Sequence, residues 1–227
     1  MNRIKLMSNY SWSKYNLHNE KLSSKIIKFN QLNNVNFIEE GIYNHIRDIF
    51  SLSLIFINKK KIKVLDYGSN ILALSNLKSK INTRFIEFSI YDPFYQKIKS
   101  IKPFKINFIN QQIKLKKKKF DIINFGSSIQ YIENLNILNK QINFKTVKRI
   151  LITHTPFSIK NKYVSKQTNH KNLIQNIYTL SYIKFFFKTK GFQLIFKSRN
   201  QDKYIACKNM KSKTYSLNLI FEKNKSL

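Results

Sequence analysis

Apolar positions fall in short dense runs divided by polar segments, and their spacing alternates between a strand period and a helix period. Ile62, Val64 and Leu65 make a short buried strand. Residues 84–91 make a second, with Ile86, Phe88 and Ile90 alternating, and residues 104–109, 120–125 and 149–153 make three more. Leu74, Leu77 and Ile81 step at helical spacing after the first strand; Ile129, Ile132, Leu135, Leu138 and Ile142 do so after the fourth. Residues 173–190 predict a helix closed by Gly191 at its C-terminal end. Phe192 to Phe196 reads as a sixth strand and Tyr215 to Phe221 as the last, with Tyr204 to Cys207 a further short strand or part of an excursion between them. Residues 163–172 are polar and read as a loop over the C-terminal edge of the sheet. Strands and helices that alternate across short joints predict a parallel, doubly wound α/β sheet.

The first 61 residues differ. They contain Gly41 but no proline, and two amphipathic stretches, 19–32 and 37–57, predict helices. The expected organisation is an N-terminal helical extension over residues 1–61 packed on a main domain over 62–227.

A chain of 227 residues that is 42% hydrophobic, with 19 Phe, can bury a real core. The opening residues lack the pattern of a secretory leader, and the apolar run Leu54 to Ile57 is far too short to span a membrane. A cytoplasmic protein is expected. One cysteine, Cys207, excludes an internal disulfide and a multi-cysteine zinc site; no metal ligands are assigned.

The net charge of +31 changes this picture little. Lysines are spread along the whole chain, arginine is rare, and asparagine and isoleucine are abundant too, the joint bias that an AT-rich genome imposes through its codons. Lys116 to Lys119 reads as a solvated loop before a strand. Binding to nucleic acid is expected to be non-specific, since no arginine–aromatic recognition pattern accompanies the charge.

The candidate chemistry lies at strand ends. Val64-Leu65-Asp66-Tyr67-Gly68-Ser69-Asn70 joins a strand to a helix through an acid and a glycine, as in nucleotide-type α/β domains. Asp66 would shape the loop, and Gly68 would let backbone N–H groups approach a ligand. Asp92-Pro93 ends the second strand 26 residues later, where a carboxylate can accept both hydroxyl protons of a ribose. Gly126-Ser127-Ser128 follows the fourth strand and His154-Thr155-Pro156-Phe157 the fifth. An ordinary βα turn and an Asp-Pro strand stop are the competing readings of the first two. His45 and Arg47, on the second N-terminal helix, could face a cleft or simply lie at its surface.

In this order the pieces resemble a class I S-adenosylmethionine-dependent methyltransferase, a Rossmann-like, mostly parallel sheet with one late antiparallel strand, here residues 215–221. Leu65-Asp66-Tyr67-Gly68, Ser127-Ser128-Ile129-Gln130-Tyr131-Ile132 and Thr155-Pro156-Phe157 resemble a methyltransferase family found with surface-polysaccharide and glycan biosynthesis genes. The resemblance implies that Asp66, Gly68 and Asn70 line the methionine side of S-adenosyl-L-methionine and that Asp92 takes the ribose. It places Gly126 and Ser127 near the adenine and substrate edge, Gln130 and Tyr131 at the start of the helix after strand four, and His154 and Thr155 facing the acceptor. Asn70 and Leu72 stand where such sequences commonly have glycine; Asn70 preserves a left-handed turn better than other non-glycine residues. A hydroxyl acceptor needs a base, and His154 is the first candidate for it, ahead of His170. The implied activity is methyl transfer to a small molecule or glycan, with an RNA methyltransferase and a non-catalytic Rossmann-like module as the alternatives. The Asn/Asp-Pro-Pro-Tyr type of motif that holds a flipped base is absent.

Overall fold

The computed structural model describes residues 48–55, 57–68, 85–91, 100–101, 106–109, 112–167, 174–199, 207 and 209–224. Among them are ten strands: β1 (Ile62–Tyr67), β2 (Ile86–Tyr91), β3 (Ser100–Ile101), β4 (Ile106–Ile109), β5 (Ile122–Gly126), β6 (Arg149–Ser158), β7 (Tyr163–Lys166), β8 (Ile174–Thr179), β9 (Phe192–Arg199) and β10 (Thr214–Lys223). Residues 48–54 form helix α1; Gln112–Lys117, Ile137–Gln141 and Leu180–Lys188 form α2, α3 and α4. The strand order is β3-β4-β2-β1-β5-β6-β10-β9, and β8 joins at the end of β6 with β7 on its far side. β4, β2, β1, β5 and β6 run parallel. β10 runs antiparallel to both β6 and β9. This is the Rossmann-like sheet with a late antiparallel strand that the sequence predicts.

The central strands are near-continuous apolar runs because both faces of the sheet are covered. On one face Leu65, Ile123, Phe125 and Ile152 pack with Leu138 of α3 and with Ile183 and Phe187 of α4. On the other, Val64, Phe88, Ile122, Leu151 and Ile220 pack against Ile49 and Phe50 of α1. α1 is anchored by Arg149, which is only 5% exposed. Its Nη1 donates to Ser53 O at 2.7 Å and to Ile55 O, carbonyls at the C-terminal end of α1, while Nη2 meets Glu222 Oε1 at 2.7 Å. The described part of the N-terminal region thus packs on the sheet as a helix.

Several expectations are corrected. Residues 163–166 are a strand, in which Tyr163 and Ser165 are buried and Val164 and Lys166 exposed. Burial here runs against polarity, with Ser165 inside and Val164 outside, so the sequence carries no apolar period to mark the strand. The helix expected over 173–190 begins only at Leu180: Ile174–Thr179 is β8, and the Thr179 side chain accepts the Tyr182 N–H as an N-cap. The helix after β5 is broken into a 3₁₀ turn (Ile129–Tyr131) and α3, although all five of its apolar positions are buried. Asn134 Oδ1 accepts the Asn136 N–H at 2.9 Å, a local bond that competes with helix continuation. β6 is also longer than expected, and Lys116 and Lys117 end α2, with all four lysines of that run exposed. The predicted helix over 19–32 and the one carrying Leu74, Leu77 and Ile81, together with His45, Arg47, Asn70, Asp92 and His170, lie outside the described residues.

Cys207 is 8% exposed, accepts a bond from Gln175 Nε2 at 3.1 Å, and has its thiol pushed up by burial. The native protein should therefore resist iodoacetamide at pH 8 and react fully once unfolded in urea, as read by mass spectrometry. Rapid native labelling would contradict the burial of this residue.

No helix among the described residues is long and apolar enough to cross a membrane.

Candidate active site

At the C-terminal edge of the sheet each central strand changes character at one position. On the α1 face, Val64, Ile122, Leu151 and Ile220 form an apolar layer. Two residues along each strand, on the same face, stand Asp66, Asn124, Thr153 and Asn218. This polar row is buried: Asp66 is 3% exposed, Asn124 7%, Thr153 1% and Asn218 0%. Asp66 and Asn124 are partners in register, and Asn124 Nδ2 donates to Asp66 Oδ1 at 3.0 Å. Asn218 Nδ2 reaches Ser198 Oγ at 3.3 Å, extending the row to β9. Asn124 Oδ1 and Thr153 Oγ1 have no hydrogen-bond partner among the described residues. Buried polar atoms in that condition cost stability and call for a partner. Gly126 keeps the space between them open: a Cβ there would lie 3.3 Å from Asn124 Nδ2 and 3.7 Å from Thr153 Oγ1.

Gly68 and the Gly126-Ser127-Ser128 turn border this row. Gly68 has φ +69°, and its N–H donates to Tyr91 O at 2.8 Å, tying the ends of β1 and β2. A Cβ on Gly68 would come within 2.8 Å of Ser128 Cβ. Ser128 Oγ donates to Tyr67 O at 2.5 Å. Among the described residues, the close neighbour that the missing Cβ accommodates is Ser128. Ser127 has φ 54°; its N–H donates to Thr153 O at 2.8 Å, and its Oγ accepts from Gln130 Nε2 at 3.1 Å.

Gln130 is 2% exposed, and its Oε1 lacks a partner among the described residues. Asn176 of β8 donates to Gln130 O at 3.4 Å, and Tyr131 donates its hydroxyl to Gln167 Oε1 at 3.1 Å. The buried Tyr178 hydroxyl donates to Ile132 O and to Glu133 O. Burial raises its pKa, so it remains a donor. In this way the β7–β8 hairpin fixes the turn that carries Gln130 and Tyr131.

His154 lies inside β6 rather than at its tip. Leu217 pairs with Thr155 and Leu219 with Ile152, so Thr153 and His154 together oppose the single residue Asn218. This is a β-bulge, and His154 adopts φ 49°. Its N–H donates to Asn218 Oδ1 at 3.0 Å, which satisfies the amide that the bulge removes from the ladder. Positive φ on residues with a Cβ is costly and collects at functional sites. Thr155, expected to face the acceptor, is 0% exposed and donates its hydroxyl to Thr153 O at 3.1 Å. It belongs to the interior of the opposite face.

The structure thus gathers Asp66, Gly126, Ser127, Gln130 and His154 around two side chains that the sequence reading passed over, Asn124 and Thr153. Their signal was a polar residue inside an otherwise apolar strand, as in Ile122-Ile123-Asn124-Phe125.

No protein-family model matches the chain, and no curated protein matches it in sequence. Solved structures do match. Magnesium protoporphyrin IX methyltransferase from Synechocystis PCC 6803, with bound SAH, is similar over 96% of this chain and 100% of that one, at 13% identity and a TM-score of 0.60. The plantazolicin methyltransferase BpumL, in complex with a triazolic desmethylPZN analog and SAH, is similar over 99% of both chains at 14% identity and a TM-score of 0.55. A Burkholderia thailandensis 1,6-didemethyltoxoflavin-N1-methyltransferase is similar over 82% of this chain and 80% of that one, at 10% identity and a TM-score of 0.54. The chain therefore has the fold of the class I S-adenosylmethionine-dependent methyltransferases.

Proposed function

We propose that this protein is an S-adenosylmethionine-dependent methyltransferase of the cytoplasm, acting on a hydroxyl of a small molecule or glycan. The observation that carries the reading is the buried polar row Asp66–Asn124–Thr153, with two oxygens unpartnered among the described residues, at the edge of the sheet where α/β folds hold their ligands. The similar structures named above, crystallised with SAH, support it.

The bound cofactor would supply a methyl group activated by a sulfonium. Asp66, Asn124 and Thr153 would hold its polar end, beside Gly126 and Ser127, with Asn70 and Asp92, which follow β1 and β2 in sequence, contributing to it. Positioning the two reactants and excluding water account for most of such catalysis. The bulge presents His154 next to Thr153, where a neutral imidazole would take the acceptor's hydroxyl proton. Gln130 and Tyr131 would line the acceptor side of the turn.

Thr153→Val tests the reading with opposite effects on stability and binding. The substitution removes a buried hydroxyl oxygen that accepts no hydrogen bond among the described residues and keeps the shape of the side chain. The unliganded protein should be stabilised or unchanged, by about 0–1 kcal/mol, while S-adenosylmethionine binding weakens by about 1 kcal/mol or more, some fivefold in Kd. Thermal melts and calorimetry read the two quantities. Unchanged affinity would remove Thr153 from the site, and no measurable binding by the native protein at millimolar cofactor would remove the activity.

A further inference from the structure

Beyond the bulge in β6, the α4 face of the sheet opens into a groove of about 540 Å³, in the size range of small-molecule sites. Phe157, Leu180 and Leu217 give it an apolar floor. Three cations, Lys184, Lys197 and Arg199, line it, and among the described residues no carboxylate does. Lys197 and Arg199 are on this face because they pair in register with Leu219 and Leu217. Lys184 comes from α4, whose first turn also borders the groove and adds the partial positive charge of a helix start.

None of the three cations is paired with a carboxylate among the described residues, where the ion pairs are Lys59–Asp121, Lys61–Glu87 and Arg149–Glu222. Arg199 is also oriented. Its guanidinium carbon lies 4.2 Å from the centroid of the Tyr215 ring, and Tyr215 itself lines the groove. A guanidinium held over an aromatic ring is pre-organised, so less freedom is lost when it meets an anion. Lys116 to Lys119 lie on open surface; here three cations border a concave apolar floor.

We propose that this groove is a binding site for a small organic anion, a flat apolar body bearing a phosphate, sulfonate or carboxylate group. The body would lie on Phe157, Leu217 and Tyr215, with the anionic group between Arg199, Lys197 and Lys184. The site is independent of the cofactor row, which lies on the opposite face, so its test needs no cofactor and stands apart from the methyltransferase reading.

The probe is 1-naphthyl phosphate, titrated by calorimetry into the full chain at 0.15 M salt, where attraction to diffuse surface charge is screened. Binding should be saturable and 1:1. The double substitution Lys197→Gln/Arg199→Gln should weaken it about tenfold or more, whereas Lys116→Gln/Lys117→Gln, with the same loss of net charge, should leave it within about twofold. Inorganic phosphate and 1-naphthol should each bind at least about tenfold more weakly than the probe. Lys197 and Arg199 are exposed, so their removal leaves the core intact. Equal weakening by both double substitutions would reduce the effect to net charge and overturn the site, as would non-saturable binding. Phosphate alone binding as well as the probe would overturn the assigned ligand class.

Discussion

Arg149→Ala should lower the unfolding free energy by about 2–4 kcal/mol, the largest loss expected of any single polar substitution in the described structure. Most of that loss comes from α1 rather than from the ion pair. Glu222 is 39% exposed in its side chain and can return to water once the guanidinium is gone. Ser53 O and Ile55 O, at the end of a helix packed on the sheet, would lose a shared charged donor. Urea denaturation followed by circular dichroism measures the effect. Glu222→Gln, which removes the charge but keeps an acceptor, should cost about 1 kcal/mol or less. Arg149→Lys should rescue little, because a single ammonium cannot reproduce a planar fork that reaches Ser53, Ile55 and Glu222 together. If alanine at 149 costs no more than glutamine at 222, Arg149 does not anchor α1.

The second large effect is at Gly68. Alanine there must adopt φ +69° and place its Cβ 2.8 Å from Ser128 Cβ. The left-handed backbone costs about 1–2 kcal/mol and the overlap about 1–3 more, so Gly68→Ala should destabilise by about 2–5 kcal/mol. The two contributions can be separated. Gly68→Ala combined with Ser128→Gly relieves the overlap and leaves the backbone cost, so the pair should be less destabilised than the sum of its single substitutions. Strict additivity would show that the Ser128 contact is not the cause. A loss of cofactor binding in Gly68→Ala is therefore informative only alongside a measured stability, because the turn itself depends on this glycine.

The strands were legible in the sequence wherever burial on both faces produced unbroken apolar runs, as in β1 and β5. Ambiguity began where one stretch satisfied both periods. Residues 173–190 carry apolar positions compatible with a helix throughout, and only the Thr179 cap marks where the helix begins. The site was half legible. Asp66, Gly126 and Ser127 stand at strand ends, where the α/β pattern directs attention, and the pattern places His154 there too, although β6 runs on past it. Asn124 and Thr153 stand inside strands, and their importance depends on which neighbours share their face, a property of register between strands far apart in sequence. Thr155 failed for the same reason. A polar residue beside a proline looks exposed in sequence, and only the ladder with β10 shows that its side chain turns inward and its hydroxyl serves its own strand.

The pairing of β6 with β10 has one residue more than it uses. From Ile152 to Thr155 the chain advances three positions while β10, from Leu219 to Leu217, advances two. A strand one residue shorter would bring Thr155 and Phe157 to the same partners by plain alternation, without positive φ and without enlisting the Asn218 amide. His154 is thus an insertion that the sheet does not require and that later positions in the strand do not feel. The strain of its positive φ is confined to one residue, and the register on either side is kept.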